Sequence, residues 1–220
     1  MRRWRPRDIV GARVERDWGV AELELALREL ADCPVCALAR QSEEAIVSWL
    51  LHTTIRDPDT VDRLVAGRGL CASHWSSVWV RADASFTRSA SRVLRRLSEA
   101  VLEDLARNAP REISCLACAA GRRRAHDALD LVAEMARRPE GVRALQGSFG
   151  LCQPHLAAAS RRADPETFAE LATLQRGQVE ALARSLMEAG LEPERSAPAA
   201  RRLARKLAGA PHPGGSASEG

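Results

Sequence analysis

The six cysteines of this chain fall into two kinds of motif. Two C-x2-C pairs, "CPVC" at 33–36 and "CLAC" at 115–118, use four of them, and two C-x2-H pairs, "CASH" at 71–74 and "CQPH" at 152–155, use the others. Thiolates and imidazoles are donors for a borderline-soft metal ion, and three cysteines with one histidine are a standard closed ligand set for zinc. Between Cys36 and Cys71 lie 34 residues and between Cys118 and Cys152 lie 33, so C-x2-C-x33/34-C-x2-H occurs twice in tandem. The similarity runs beyond the ligands: "RDPDTVDRLVAGRGLC" at 56–71 lays over "RRPEGVRALQGSFGLC" at 137–152 without a gap. This is the pattern of an internal duplication.

Taken in chain order, Cys33, Cys36, Cys71 and His74 form one site, and Cys115, Cys118, Cys152 and His155 form a second. Each ion then clips the two ends of one helical repeat. Zinc suits the donor set best, and an iron-sulfur cluster, which also takes thiolates and can accept histidine, is the alternative. Four protein ligands leave no open coordination position, whereas a catalytic zinc keeps one for water or substrate, so the sites are expected to be structural staples. Disulfides fit a reducing compartment less well than metal does.

The elements that would carry these residues are helical. Val20, Leu23, Leu27 and Leu30 recur at helical spacing, although Leu23, Leu25 and Leu27 also alternate with Glu22, Glu24 and Ala26 as in a strand. The stretch after Cys36 predicts a helix ending before Asp57-Pro58, and a short helix is expected over 60–66, broken by Gly67 and Gly69. A helix opening at "CASHW" and a long amphipathic one over 85–108 follow, the latter with Val93, Leu94, Leu97, Val101, Leu102 and Leu105 on its stripe. The second repeat predicts helices over 118–137 and 139–145, another from "CQPHL", and a long one from Pro165 to Glu188. The fold class is thus all-α, with two pseudo-symmetric metal-stapled repeats. Its organisation is a basic arm at 1–18, repeat one at 19–110, repeat two at 111–190, and a mostly flexible tail at 191–220 with a short helix over 198–208.

Length and composition set the class. With 220 residues and 45% hydrophobic content the chain can bury a core. It has no run of the roughly 20 apolar residues that a membrane helix needs, and its basic start lacks the apolar core of a secretory signal, so a cytoplasmic protein is expected. The net charge is +4, but 32 of the 33 basic residues are arginine, with Lys206 alone, and tyrosine is absent. That bias reads as the codon usage of a GC-rich genome, and the interspersed 29 acidic residues make a mixed surface rather than a phosphate-binding one.

Other candidates for chemistry are fewer. His52 and His126 stand at different distances from their C-x2-C pairs and are not expected as ligands, and His212 lies in the tail. Glu43 and Glu44 occupy places close to those of Arg122, Arg123 and Arg124 in the other repeat, either as two solvated faces or as charges pairing the repeats. Trp75 and Trp79, four apart, suit core packing better than a base-stacking platform. No phosphate-binding glycine loop or nucleophile elbow is present.

The tandem "CPVC … DP … GLCASHW" and "CLAC … GLCQPH" resembles a bacterial family of helical, cysteine-rich proteins carrying a domain of unknown function with repeated C-P-x-C and (F/L)-C-x-x-H motifs. The resemblance covers about residues 31–190; Leu116 stands where the family's proline would be. It implies a bacterial cytosolic protein and brings no activity. The expected function is a non-catalytic binding or scaffolding protein with a protein partner and no membrane partner. A nucleic-acid-binding regulator using arginines 122–124 and 201–206, or a thiol or cluster redox protein, is the alternative.

Overall fold

The structure, a computed structural model, describes residues 19–28, 32–54, 57–189 and 193–209. The basic arm at 1–18, His212 and the end of the expected tail lie outside the described residues. The described residues form helices joined by turns and loops, with no strand among them. A first helix, α1, covers 19–28, so the helical spacing of Leu23 and Leu27 prevails over the strand-like alternation. The physical reason is burial: Leu23 and Leu27 are buried while Leu25 is exposed.

Nine further helices follow: α2 (Pro34–Trp49), α3 (Pro58–Ala66), α4 (Ala72–Arg81), α5 (Ala84–Ala106), α6 (Leu116–Ala136), α7 (Pro139–Gln146), α8 (Gln153–Ala159), α9 (Pro165–Ala189) and α10 (Pro193–Ala208). A π-helical turn, Leu50–Thr54, continues α2. The order long, short, ligand-bearing, long thus occurs twice, in α2–α5 and α6–α9.

Two of these helices start by the same device at places the duplication does not relate. Asp57 caps α3, accepting from the Thr60 backbone N–H at 3.1 Å and from its hydroxyl at 2.6 Å. Asp164 stands just before α9 and accepts from the Thr167 backbone N–H and hydroxyl, both at 2.9 Å. In each Asp-Pro-x-Thr the proline, which has no N–H to satisfy, takes the first helical position.

The chain divides into two compact units whose bounds differ from those of the two expected repeats. Of the described residues, those between 19 and 38 and between 124 and 209 make up one, and those between 39 and 123 make up the other. Both α2 and α6 therefore contribute to both units. The core of the first unit gathers Leu23 and Leu27 of α1, Val35 and Leu38 of α2, Leu129 and Val132 of α6, and Leu145, Phe149, Leu151, Leu156 and Leu171. The core of the second gathers Val47, Leu50, Leu64, Leu70, Val78, Phe86, Val93 and Leu97. In the first unit α10 packs along α9 and α8. Residues 193–208, within the stretch expected to be mostly flexible, thus form a docked helix that begins five residues before the expected 198. Pro198 falls in its first two turns.

Candidate metal centres

Each of the four motifs opens a helix in the same way. Cys33, Cys71, Cys115 and Cys152 stand immediately before α2, α4, α6 and α8, and their carbonyls accept the first helical hydrogen bonds, from Ala37, Trp75, Ala119 and Leu156. The residue three further on, Cys36, His74, Cys118 or His155, lies in the first turn. Positions i and i+3 share a helix face, so each motif presents two donors side by side. The C-x2-C pairs are thus helix starts rather than free turns. The positive end of a helix dipole favours a nearby thiolate. At Cys71 and Cys152 the side chain makes no cap hydrogen bond of its own.

The grouping of the motifs corrects the chain-order assignment. Cys33 and Cys36 meet Cys152 and His155, while Cys115 and Cys118 meet Cys71 and His74. In each group the four donor atoms lie within 4.8 Å of one another. Each C-x2-C pair is completed by the C-x2-H pair of the other repeat, and each complete group lies within one compact unit. All eight sequence-predicted residues are therefore brought together, but in crossed pairs. His52 and His126 are exposed and belong to neither group.

In the first unit His155 Nδ1 lies 3.5, 3.3 and 3.2 Å from the Sγ atoms of Cys33, Cys36 and Cys152, and the Cys36 and Cys152 sulfurs are 3.7 Å apart. In the second unit His74 Nδ1 lies 3.1, 3.4 and 3.5 Å from the sulfurs of Cys71, Cys115 and Cys118, with 3.7 Å between those of Cys71 and Cys118. All six cysteines are free thiols. Burial pushes the Cys33 and Cys118 thiols up, and neighbouring sulfurs push them further. Burial alone would lower His155, but its contacts with the Cys152 and Cys36 sulfurs outweigh that and raise it to about 9. Three thiols this close, buried in the first unit and buried or half-buried in the second, cannot all ionise by themselves, because like charges at such distances repel strongly where water is scarce. A divalent cation removes that conflict.

The loops before the C-x2-H motifs are held by different means. Gly69 and Gly150, each directly before the Leu-Cys step, take positive φ values of 95° and 69°, a region that glycine enters without strain. In the second unit Arg68, itself at φ 59°, makes a two-pronged pair with the buried Asp104 of α5 at 2.5 and 2.8 Å. Ser114, next to Cys115, donates its N–H to Gly67 O at 2.8 Å, joining the segment that leads into one motif to the segment that leads into the other.

In the first unit the same work falls to Lys206, the only lysine in the chain. It is 0% exposed, donates to Phe149 O and to Gln178 Oε1, the latter at 2.6 Å, and lies 4.7 Å from the centre of the Phe149 ring. Burial lowers it to about 8, against the pull of any negative charge on the nearby Cys33 and Cys152 sulfurs. No sequence rule pointed to it; its solitude among 32 arginines was the available signal. Lys206→Met keeps the stem but removes the donor from two buried acceptors, a loss of about 1–3 kcal/mol. The variant is expected to melt at a lower temperature than the wild type. An unchanged or higher melting temperature shows that desolvation of the ammonium outweighs its hydrogen bonds.

Glu43 was also missed as a site residue. It is 1% exposed rather than on a solvated face, and its Oε2 lies 3.5 Å from His74 Nε2. Burial pushes its carboxyl up to about 7, against the charges of Arg122 and Arg40. One of the arginines facing it in sequence, Arg122, thus acts on it electrostatically within the second unit. Arg124 instead pairs with Glu22 of α1. Trp75 and Trp79 stack at 6.0 Å with planes 21° apart, and Trp79 meets Phe86 edge-on, yet Trp79 keeps 42% of its surface exposed.

A groove of about 760 Å³ in the first unit is lined by Val20, Leu27, Leu131 and Met135 among others, and by none of the eight thiol and imidazole residues. No helix among the described residues is long and apolar enough to cross a membrane. No protein-family model matches the chain, and neither the curated proteins nor the solved structures give a match. The family resemblance therefore rests on motif spacing alone.

Proposed function

We propose that the protein is a non-catalytic helical binding or scaffolding protein whose two units are each held by one zinc ion in a Cys3His site. The observation that carries this reading is the convergence of four donor atoms within 4.8 Å in each unit, from segments far apart in the chain. Zinc is supported by the spacing. Ligands on a tetrahedron with bonds near 2.3 Å stand about 3.8 Å apart, and one sulfur pair in each group, Cys36–Cys152 and Cys71–Cys118, is 3.7 Å apart. A cluster would place several irons and sulfides between the same ligands and spread them further. With all four positions filled by protein, the ion has no place for substrate, which supports a structural role.

A protein partner is supported by apolar surface. On α4 Val80 is 87% exposed beside Trp79, and on α5 Val101, Leu102 and Leu105 are exposed as well. Exposed aromatic and aliphatic groups in number are what protein interfaces bury.

The test is metal analysis of protein purified without oxygen, by mass spectrometry and visible absorption. Two zinc ions per chain and no colour are expected. Iron, sulfide and a brown chromophore would replace this reading with electron transfer or redox sensing.

A further inference from the structure

The two ligand sets are alike, but their surroundings are not. Glu43 stands seven residues after Cys36, and the same count from Cys118 reaches Ala125. One C-x2-C helix therefore carries a carboxylate at this position and the other a methyl group. Ala125 packs partly buried against the first unit's apolar core. Glu43 is fully buried in the second unit with its Oε2 3.5 Å from Nε2 of His74, within ion-pair reach but longer than a closed hydrogen bond; Nε2 is the ring nitrogen opposite the Nδ1 that faces the three sulfurs.

Space for this carboxylate is built in. A Cβ added at Gly121 of α6 would meet the Cγ of Glu43 at 2.8 Å and its Cδ at 2.9 Å. Glycine inside a helix costs stability relative to alanine, so its presence here, on the helix that supplies Cys118, needs a reason. Room for the Glu43 side chain is that reason.

Imidazole ligands are oriented, and their basicity raised, by a carboxylate that accepts from the nitrogen not bound to metal. We infer that Glu43 is the positioning residue of the second unit's metal site, holding His74 with its proton on Nε2 and Nδ1 toward the ion, and that among the described residues no carboxylate gives His155 of the first unit the same support. The two ions are then held unequally by identical ligand sets. This rests on the metal reading above.

The experiment compares wild type, Glu43→Gln, Glu43→Leu and Gly121→Ala as full chains loaded with zinc and titrated with a chromophoric chelator. Glu43→Leu is expected to weaken one of the two ions about 10- to 100-fold and leave the other unchanged. Glu43→Gln, which keeps an acceptor, should fall between it and wild type, and Gly121→Ala, which displaces the carboxylate, should resemble Glu43→Leu. A long-range proton–nitrogen NMR spectrum reads the two histidine rings separately: the His74 Nε2 signal should move in Glu43→Leu while that of His155 stays. Equal weakening of both ions, or two ions held at wild-type affinity in Glu43→Leu, overturns the assignment. A wild type that carries no metal fails differently, since it removes the metal reading and the role of Glu43 with it.

Discussion

The double variant Cys36→Ala/Cys152→Ala is expected to keep one metal ion per chain, and Cys36→Ala/Cys71→Ala to keep none. Cys36 and Cys152 belong to the same group of four donors, so on the metal reading removing the second costs no further ion once the first is gone. Cys36 and Cys71 belong to different groups, and each loss leaves three donors where a closed site needs four. The chain-order assignment makes the opposite forecast for both variants. Metal content by mass spectrometry decides between them, and the result is all-or-none at each site. The same crossing means that a fragment ending at residue 110 holds two half-sites and no complete one.

Stripping the metal with a strong chelator under reducing conditions is expected to remove the cooperative thermal transition and much of the helical circular dichroism. Structural zinc in small domains contributes about 10–16 kcal/mol in apparent binding free energy, which exceeds the whole net stability of most domains. The ligands here are part of the cores they would staple: Cys33, Cys36 and Cys152 lie in the first unit's core cluster and Cys115 in the second's. Without a cation each unit keeps a knot of thiols that repel when ionised. Adding zinc back should restore the transition. A metal-free protein that melts at the temperature of the loaded one would count against the staple role.

The helices themselves were largely legible. Those around Val93–Leu105 and from Pro165 onward carry strong apolar periodicity and standard caps, which are local properties of short segments. The extent of α10 was harder to read, because its proline- and alanine-rich composition resembles a tail. Its order comes from packing on α9 and α8 and from burying Lys206, contacts with residues far away in sequence. Glu43 was obscure for a similar reason. A glutamate next to another glutamate reads as solvated, and only the approach of α4, with His74, and the gap at Gly121 make it an interior group.

By itself the sequence determined the all-α class, the eight candidate donor residues and the helix-start presentation of the two C-x2-H pairs, because a helix start is set by a few neighbouring residues; that the C-x2-C pairs also open helices emerged from the structure. Which pair completes which was decided by the tertiary structure alone. The two C-x2-C pairs are chemically the same, as are the two C-x2-H pairs, and their spacings differ by one residue, so nothing local distinguishes partners within a repeat from partners across repeats. The choice is made where packing makes it: α1, α6 and the Phe149–Leu151 loop share a core with the start of α2, and Ser114 is tied to Gly67, so each motif meets its counterpart from the other repeat.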